Sequence, residues 1–193
     1  MQKLTPAGLL PPEAYESLRP GLRARLMAHK QRRRVALGAH ASLLFEDRLT
    51  VQYQVQEMLR IERTTDPRAV EDELAAYNPL VPDGANLKAT LLLGFDDAGA
   101  RRRALAALGG IEHRVFARVR GQAPVFAIAD EDLPRSEGGK TSAVHFLRFE
   151  FTPGAIAAVR AGDDLAFGID DPRLPLEVTL DAATRATLAG DFD

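Results

Sequence analysis

The hydrophobic period changes near Asn86, and that change limits the fold more than any other feature. Before it, apolar residues recur four apart: Leu18, Leu22 and Leu26, then Val51 and Val55, with Met58 and Glu62 on the same line. That is the spacing of one helix face. After it, Leu87, Ala89, Leu91 and Leu93 alternate, and so do Ala143, His145, Leu147, Phe149 and Phe151, as in a strand with one buried face. The reading is an α+β fold: a largely antiparallel sheet covered by helices, with a helical N-terminal third. Residues 1–80 read as mainly helical and 86–193 as mainly sheet with interspersed helices. A length of 193 residues suits one domain.

Local signals place the elements. Thr5-Pro6 and Pro11-Pro12 are helix starts, and Pro20 reads as the restart of a helix. Residues 35–45, with Gly38 at a turn, read as a short hairpin or two extended pieces. Asp47 is an N-cap for a helix to about Thr64, and Asp66-Pro67 opens another that ends at Asn78-Pro79. Pro82-Asp83-Gly84 is a turn, proline presetting φ and glycine accepting a positive one. A helix over residues 98–108 ends at Gly109-Gly110. Residues 113–120 and 125–129 form a hairpin across Gly121-Gln122. Residues 142–151 are the clearest strand. Thr152-Pro153 opens a helix closed by Gly162, two strands follow, and Asp181 caps the last helix.

Composition excludes several chemistries. With no cysteine, there is no disulfide, thiolate metal site or thiol nucleophile. No window approaches the roughly 18 apolar residues of a membrane span, and the start has no long apolar run of an export signal. A cytoplasmic protein with no membrane partner is expected. Arg32-Arg33-Arg34 and Arg101-Arg102-Arg103 are basic clusters, but a pI near 6.1 and the lack of tryptophan argue against a nucleic-acid partner. Charge is still uneven: no acid occurs between Ser17 and Phe45, while nine acids face three arginines from Glu150 onward.

The motifs are mostly negative. Gly138-Gly139-Lys140-Thr141-Ser142 imitates the end of a phosphate-binding loop, but Pro134 replaces the first glycine and a strand follows instead of a helix. It reads as a hairpin loop. No GxSxG is present. The histidines His29, His40, His113 and His145 form no HxxxH or HxH pair. His145 lies on an apolar strand face, as a core histidine or, beside a carboxylate, as a ligand or proton-transfer group. On the helix through residues 52–63, Tyr53, Glu57 and Arg60 share a face beside Gln56, either as a ligand-orienting set or as a surface Glu57–Arg60 pair. The loop of residues 78–88 collects Asn78, Asp83, Asn86 and Lys88, as a binding edge or as turn chemistry.

Several blocks together resemble an uncharacterised bacterial family, a domain of unknown function of about this length. They are Ala28-His29-Lys30 with Arg33-Arg34-Val35, Leu44 to Arg48 continuing to Gln56-Glu57-Met58-Leu59-Arg60, Ala76 to Leu80 with Pro82-Asp83-Gly84, and Lys140 to Arg148. The resemblance spans nearly the whole chain. It implies genes beside those of rubrerythrin-like proteins and an Fe–S oxidoreductase, hence a role near peroxide or redox metabolism. It brings no catalytic residues. Gly94, after Leu91-Leu92-Leu93, stands where the family leads one to expect a carboxylate.

The leading expectation is an accessory or interaction protein of a cytoplasmic redox or peroxide-handling system. Its partner is a redox protein or a small ligand. The binding candidates are Tyr53, Glu57, Arg60, Asn78, Asp83, Asn86, Lys88, His145 and Arg148. The alternative is a metal- or haem-dependent enzyme using His145 with Glu57, and His29 as a further metal candidate. No motif specifies a cofactor.

Overall fold

The computed structural model describes all residues except Met1 and Asp132, with Glu137 described in its backbone alone. The elements run α1 (Pro12–Gln31), β1 (Arg34–Ala36), β2 (Ala41–Glu46), α2 (Arg48–Glu62), α3 (Pro67–Tyr77), β3 (Asn86–Leu93), α4 (Ala98–Ala107) and β4 (Val115–Val119). They continue with β5 (Val125–Phe126), β6 (Ile128–Ala129), β7 (Ser136–Glu137), β8 (Lys140–Thr141), β9 (Val144–Glu150), α5 (Pro153–Ala161), β10 (Leu165–Ile169), β11 (Leu176–Thr179) and α6 (Ala182–Ala189).

The fold is α+β and every strand pairing is antiparallel. The strands divide, however, between two main sheets, in the orders β1-β2-β3-β9-β6 and β11-β10-β4-β5, with β7-β8 as a separate hairpin. The division falls inside the segment read as one strand. Val125 and Phe126 pair with β4, whereas Ile128 and Ala129 cross over to β9. The two sheets bury their inner faces against each other. Phe167 of β10 meets Phe45 of β2 and Phe149 of β9 at ring-centroid distances of 4.8 and 5.3 Å, in tilted and edge-on contacts typical of packed rings. The alternating residues Leu87, Ala89, Leu91 and Leu93 of β3 all point into this core. Leu105, Ala155, Val159 and Leu188 bring α4, α5 and α6 onto it.

A smaller core joins the N-terminal segment to α2 and α3 through Leu4, Val51, Val55, Leu74 and Val81. The first turn of α2 is set by a capping box in which Asp47 accepts from the Thr50 N–H and the Thr50 hydroxyl accepts from the Asp47 N–H. Pro20 does not restart a helix, because α1 runs through it. The helix gives up the bond proline cannot donate, while Tyr15 and Leu26, on either side, are almost wholly buried. Leu18 of the expected stripe is exposed, so Tyr15 rather than Leu18 faces inward.

Candidate functional site

Glu57 joins α1 to α2. Its carboxylate accepts from the Tyr15 hydroxyl at 2.7 Å, from Arg19 Nε and Nη2 at 2.7 and 2.9 Å, and from Arg60 Nε and Nη2 at 3.3 and 3.5 Å. The Arg19 bond outweighs the effect of burial, and with Tyr15 and Arg60 it holds the Glu57 carboxyl down at about 2. Burial and the Glu57 charge push the Tyr15 phenol well above its usual range. Tyr53 lies edge-on to Tyr15 at 6.3 Å. Tyr53, Glu57 and Arg60 therefore share a face as expected, but the lone pairs of Glu57 are taken by protein donors. Glu57 is a clamp between helices, not a free ligand.

Next to this clamp the N-terminal arm is strapped across α2 and α3. Gln56 accepts from Leu10 N at 2.7 Å and donates to Leu10 O at 3.3 Å, and Gln52 donates to Gly8 O at 2.7 Å. Asn78 accepts from Leu4 N at 2.7 Å and donates to Leu4 O at 3.0 Å, while Lys3 Nζ donates to Asn78 O and Val81 O. Asn78 is thus a staple for the arm. Beside the arm lies a cavity of about 730 Å³ walled by Leu9, Leu10, Pro11, Leu59, Pro67 and Val70. Polar groups edge it: Glu13, Tyr15 and Glu16 from α1, Gln56 and Arg60 from α2 with Arg63 just after it, and Glu71 from α3. Its size and its apolar walls with a few placed polar groups are those of a small-molecule site.

The remaining loop candidates lie in the turn before β3 and at its start. Asp83 accepts from Ala85 N at 3.0 Å and Asn86 accepts from Asp83 N at 3.3 Å, so both close the turn. Burial alone would raise the Asp83 carboxyl, yet the Ala85 N–H and the Asn86 amide hold it below its usual range. Asn86 also donates to Glu150 at 2.9 Å. Arg148 grips Glu131 with two bonds of 2.8 and 2.7 Å and also pairs with Glu150. Lys88 sits opposite Arg148 in register. Burial, then the Arg148 charge, lower its ammonium below the usual range.

His145 belongs to a third group. Its Nδ1 lies 2.6 Å from Asp130 Oδ2, and its Nε2 is 2.7 Å from Thr141 Oγ1, 3.2 Å from Ser142 O and 3.9 Å from Glu112 Oε2. His145, Glu112 and Thr141 are each at most 2% exposed. Asp130, held in the left-handed region at φ 50°, also accepts from Phe146 N and Arg135. His29 is elsewhere, 2.5 Å from Asp47 Oδ2, in a network where buried Arg33 bridges Asp47 and Asp191. The expected set of His145, Glu57 and His29 is therefore not assembled, since each sits in a separate network of partners.

The sequence pattern of a family described as "Protein of unknown function (DUF3501)" matches residues 3–192. The chain belongs to the DUF3501 family. A solved structure from Burkholderia pseudomallei K96243, described as a novel protein of unknown function, is similar to it at 51% identity and a TM-score of 0.93, covering 100% of both chains. No curated protein matches. In this DUF3501 chain no helix among the described residues is long and apolar enough to cross a membrane.

Sequence reasoning missed the partners that make the DUF3501 clusters. Tyr15 and Arg19 give no sign that they meet Glu57, although they stand four apart on α1. Glu112, Asp130 and Thr141 come from three different segments. Their only sequence signal is Thr141 in the Gly138-Gly139-Lys140-Thr141 loop, which is indeed a hairpin turn and carries Thr141 to His145. Gly94 bonds through its backbone to His40 and is in none of the three clusters.

Proposed function

We propose that this protein is a cytoplasmic accessory protein that binds a small amphipathic molecule in the cavity beside its N-terminal arm, in the service of a redox or peroxide-handling partner. The redox setting follows from the family resemblance; the binding role follows from the cavity. The single observation that carries it is an apolar space of about 730 Å³ bordered by Arg60 and Arg63. Arg60 meets Glu57 through Nε and Nη2 at 3.3 and 3.5 Å, longer than the Arg19 and Tyr15 bonds, so the other N–H groups of its five-donor guanidinium can address a ligand. The N-terminal ends of α1 and α3 border the same space and favour negative charge. The ligand is accordingly an apolar body with an anionic end.

Thermal unfolding with straight-chain carboxylates of increasing length tests this. The melting temperature should rise with chain length up to the limit set by the cavity, and less in Arg60→Gln. A series of amines that stabilises the protein while the carboxylates do not would instead assign the polar end to Glu13, Glu16 and Glu71. No shift with either series would remove the proposal.

A further inference from the structure

A buried carboxylate with too few donors marks the His145 cluster. Glu112, in the short 3-10 turn Ile111–Arg114, is 2% exposed. Its one hydrogen bond among the described residues comes from Thr141 Oγ1, at 3.4 Å. Thr141 has a single hydroxyl proton and already accepts from the Ser136 hydroxyl at 3.1 Å. If that proton goes to His145 Nε2, Glu112 has no donor. If it goes to Glu112, the ring nitrogen faces Thr141 Oγ1 and the Ser142 carbonyl with nothing between them. With the ring proton placed on Nδ1 toward Asp130, Arg135 answers the Asp130 charge, while Glu112 has besides Thr141 only the exposed His113 ring, 3.7 Å from its other oxygen, Oε1. A buried carboxylate in that state is costly. One positive charge placed among Nε2, Oε2 and Oγ1 satisfies all three.

We infer that Glu112, His145 and Thr141 form a binding site for one divalent first-row transition-metal ion, with Asp130 orienting the imidazole. The edges of this triangle are 2.7, 3.4 and 3.9 Å, which bracket the separations of donors about 2.0–2.2 Å from a common ion. A carboxylate on the far nitrogen of the ring is the usual outer partner of a metal-bound histidine. One imidazole with oxygen donors and no sulfur suits zinc, iron(II) or manganese(II). The β7-β8 hairpin carries Thr141 and is seated by Gly109, whose N–H donates to Gly139 O at 3.0 Å. A side chain at 109 would put its Cβ 2.2 Å from that oxygen. This inference does not depend on the cavity or its ligand.

The test uses untagged full-length protein, stripped with chelator and then dialysed separately against Zn²⁺, Mn²⁺ and, without oxygen, Fe²⁺. After gel filtration the wild type should retain about one ion per chain of at least one of these metals, the stoichiometry of a single closed site. Glu112→Gln and Thr141→Val should lose it, and Asp130→Asn should bind about 10–100-fold more weakly. The X-ray absorption spectrum of the loaded wild type should show one imidazole with oxygen neighbours, a reading that needs no variant to fold. A wild type that retains no ion, or folded Glu112→Gln and Thr141→Val proteins that retain as much as the wild type, would overturn the site.

Discussion

Arg33 is buried between two carboxylates with opposite chemistry. Asp47 lies below its usual range because Arg33, the Thr50 N–H and His29 together overcome burial. Asp191, more deeply enclosed, is driven by burial up to about 6 despite the same guanidinium. Its folded value lies above the ordinary 3.8, so its contribution to stability is full below about pH 4 and lost as pH rises through 6. In Asp191→Asn that titration disappears. Urea unfolding should show wild type losing up to about 3 kcal/mol relative to the variant between pH 4 and 7; equal curves would refute the raised value. Glu57 has the opposite sign. With a folded value of about 2 against 4.5, its contribution is present above pH 4.5 and is lost as pH falls toward 2. Glu57→Gln leaves Arg19 without its charged partner and should cost about 1.5–3 kcal/mol at neutral pH, measured by the same unfolding. A loss of a few tenths would mean a solvated surface pair.

At the scale of elements, what a cap decides was legible and what a distant pairing decides was not. Asp47, Asp66, Thr152 and Asp181 each accept a backbone N–H in the first turn of the helix they precede, a contact within three residues that sequence alone can anticipate. The allocation of strands to two sheets depends on which partners Ala127 sits between, and nothing local encodes that. The same limit explains the candidate sites. Tyr53, Glu57 and Arg60 were legible because one helix face holds them, whereas the partners that engage Glu57 come from α1. Pro20 shows the converse error: a true local cost, overridden by burial of Tyr15 and Leu26 on both sides. Pro20→Ala restores a donor toward Glu16 and should stabilise the protein by about 1–2 kcal/mol. A destabilised variant would mean that a bend at Pro20 is needed to seat α1 on α2.

On the scale of the whole molecule, the two proposed centres sit on different parts of the chain. The two-sheet core closes around His145, Asp130 and Glu112, which no sequence spacing could have grouped. The arm, α1, α2 and α3 border the apolar cavity, and Gln52, Gln56 and Asn78 are spent on holding the arm beside it. Three polar side chains fixing one segment beside an apolar space is an arrangement that keeps a pocket open to a small molecule. The proposed binding role rests on that space being fillable. The direct measurement is a calorimetric and fluorescence titration with ANS, an anionic naphthalene dye of suitable size, on wild type and on Leu59→Trp, which fills the cavity from α2. Saturable one-to-one binding in the wild type, lost in a folded Leu59→Trp and weakened in Arg60→Gln, is the predicted result. Dye that binds both proteins equally, or neither, would contradict it.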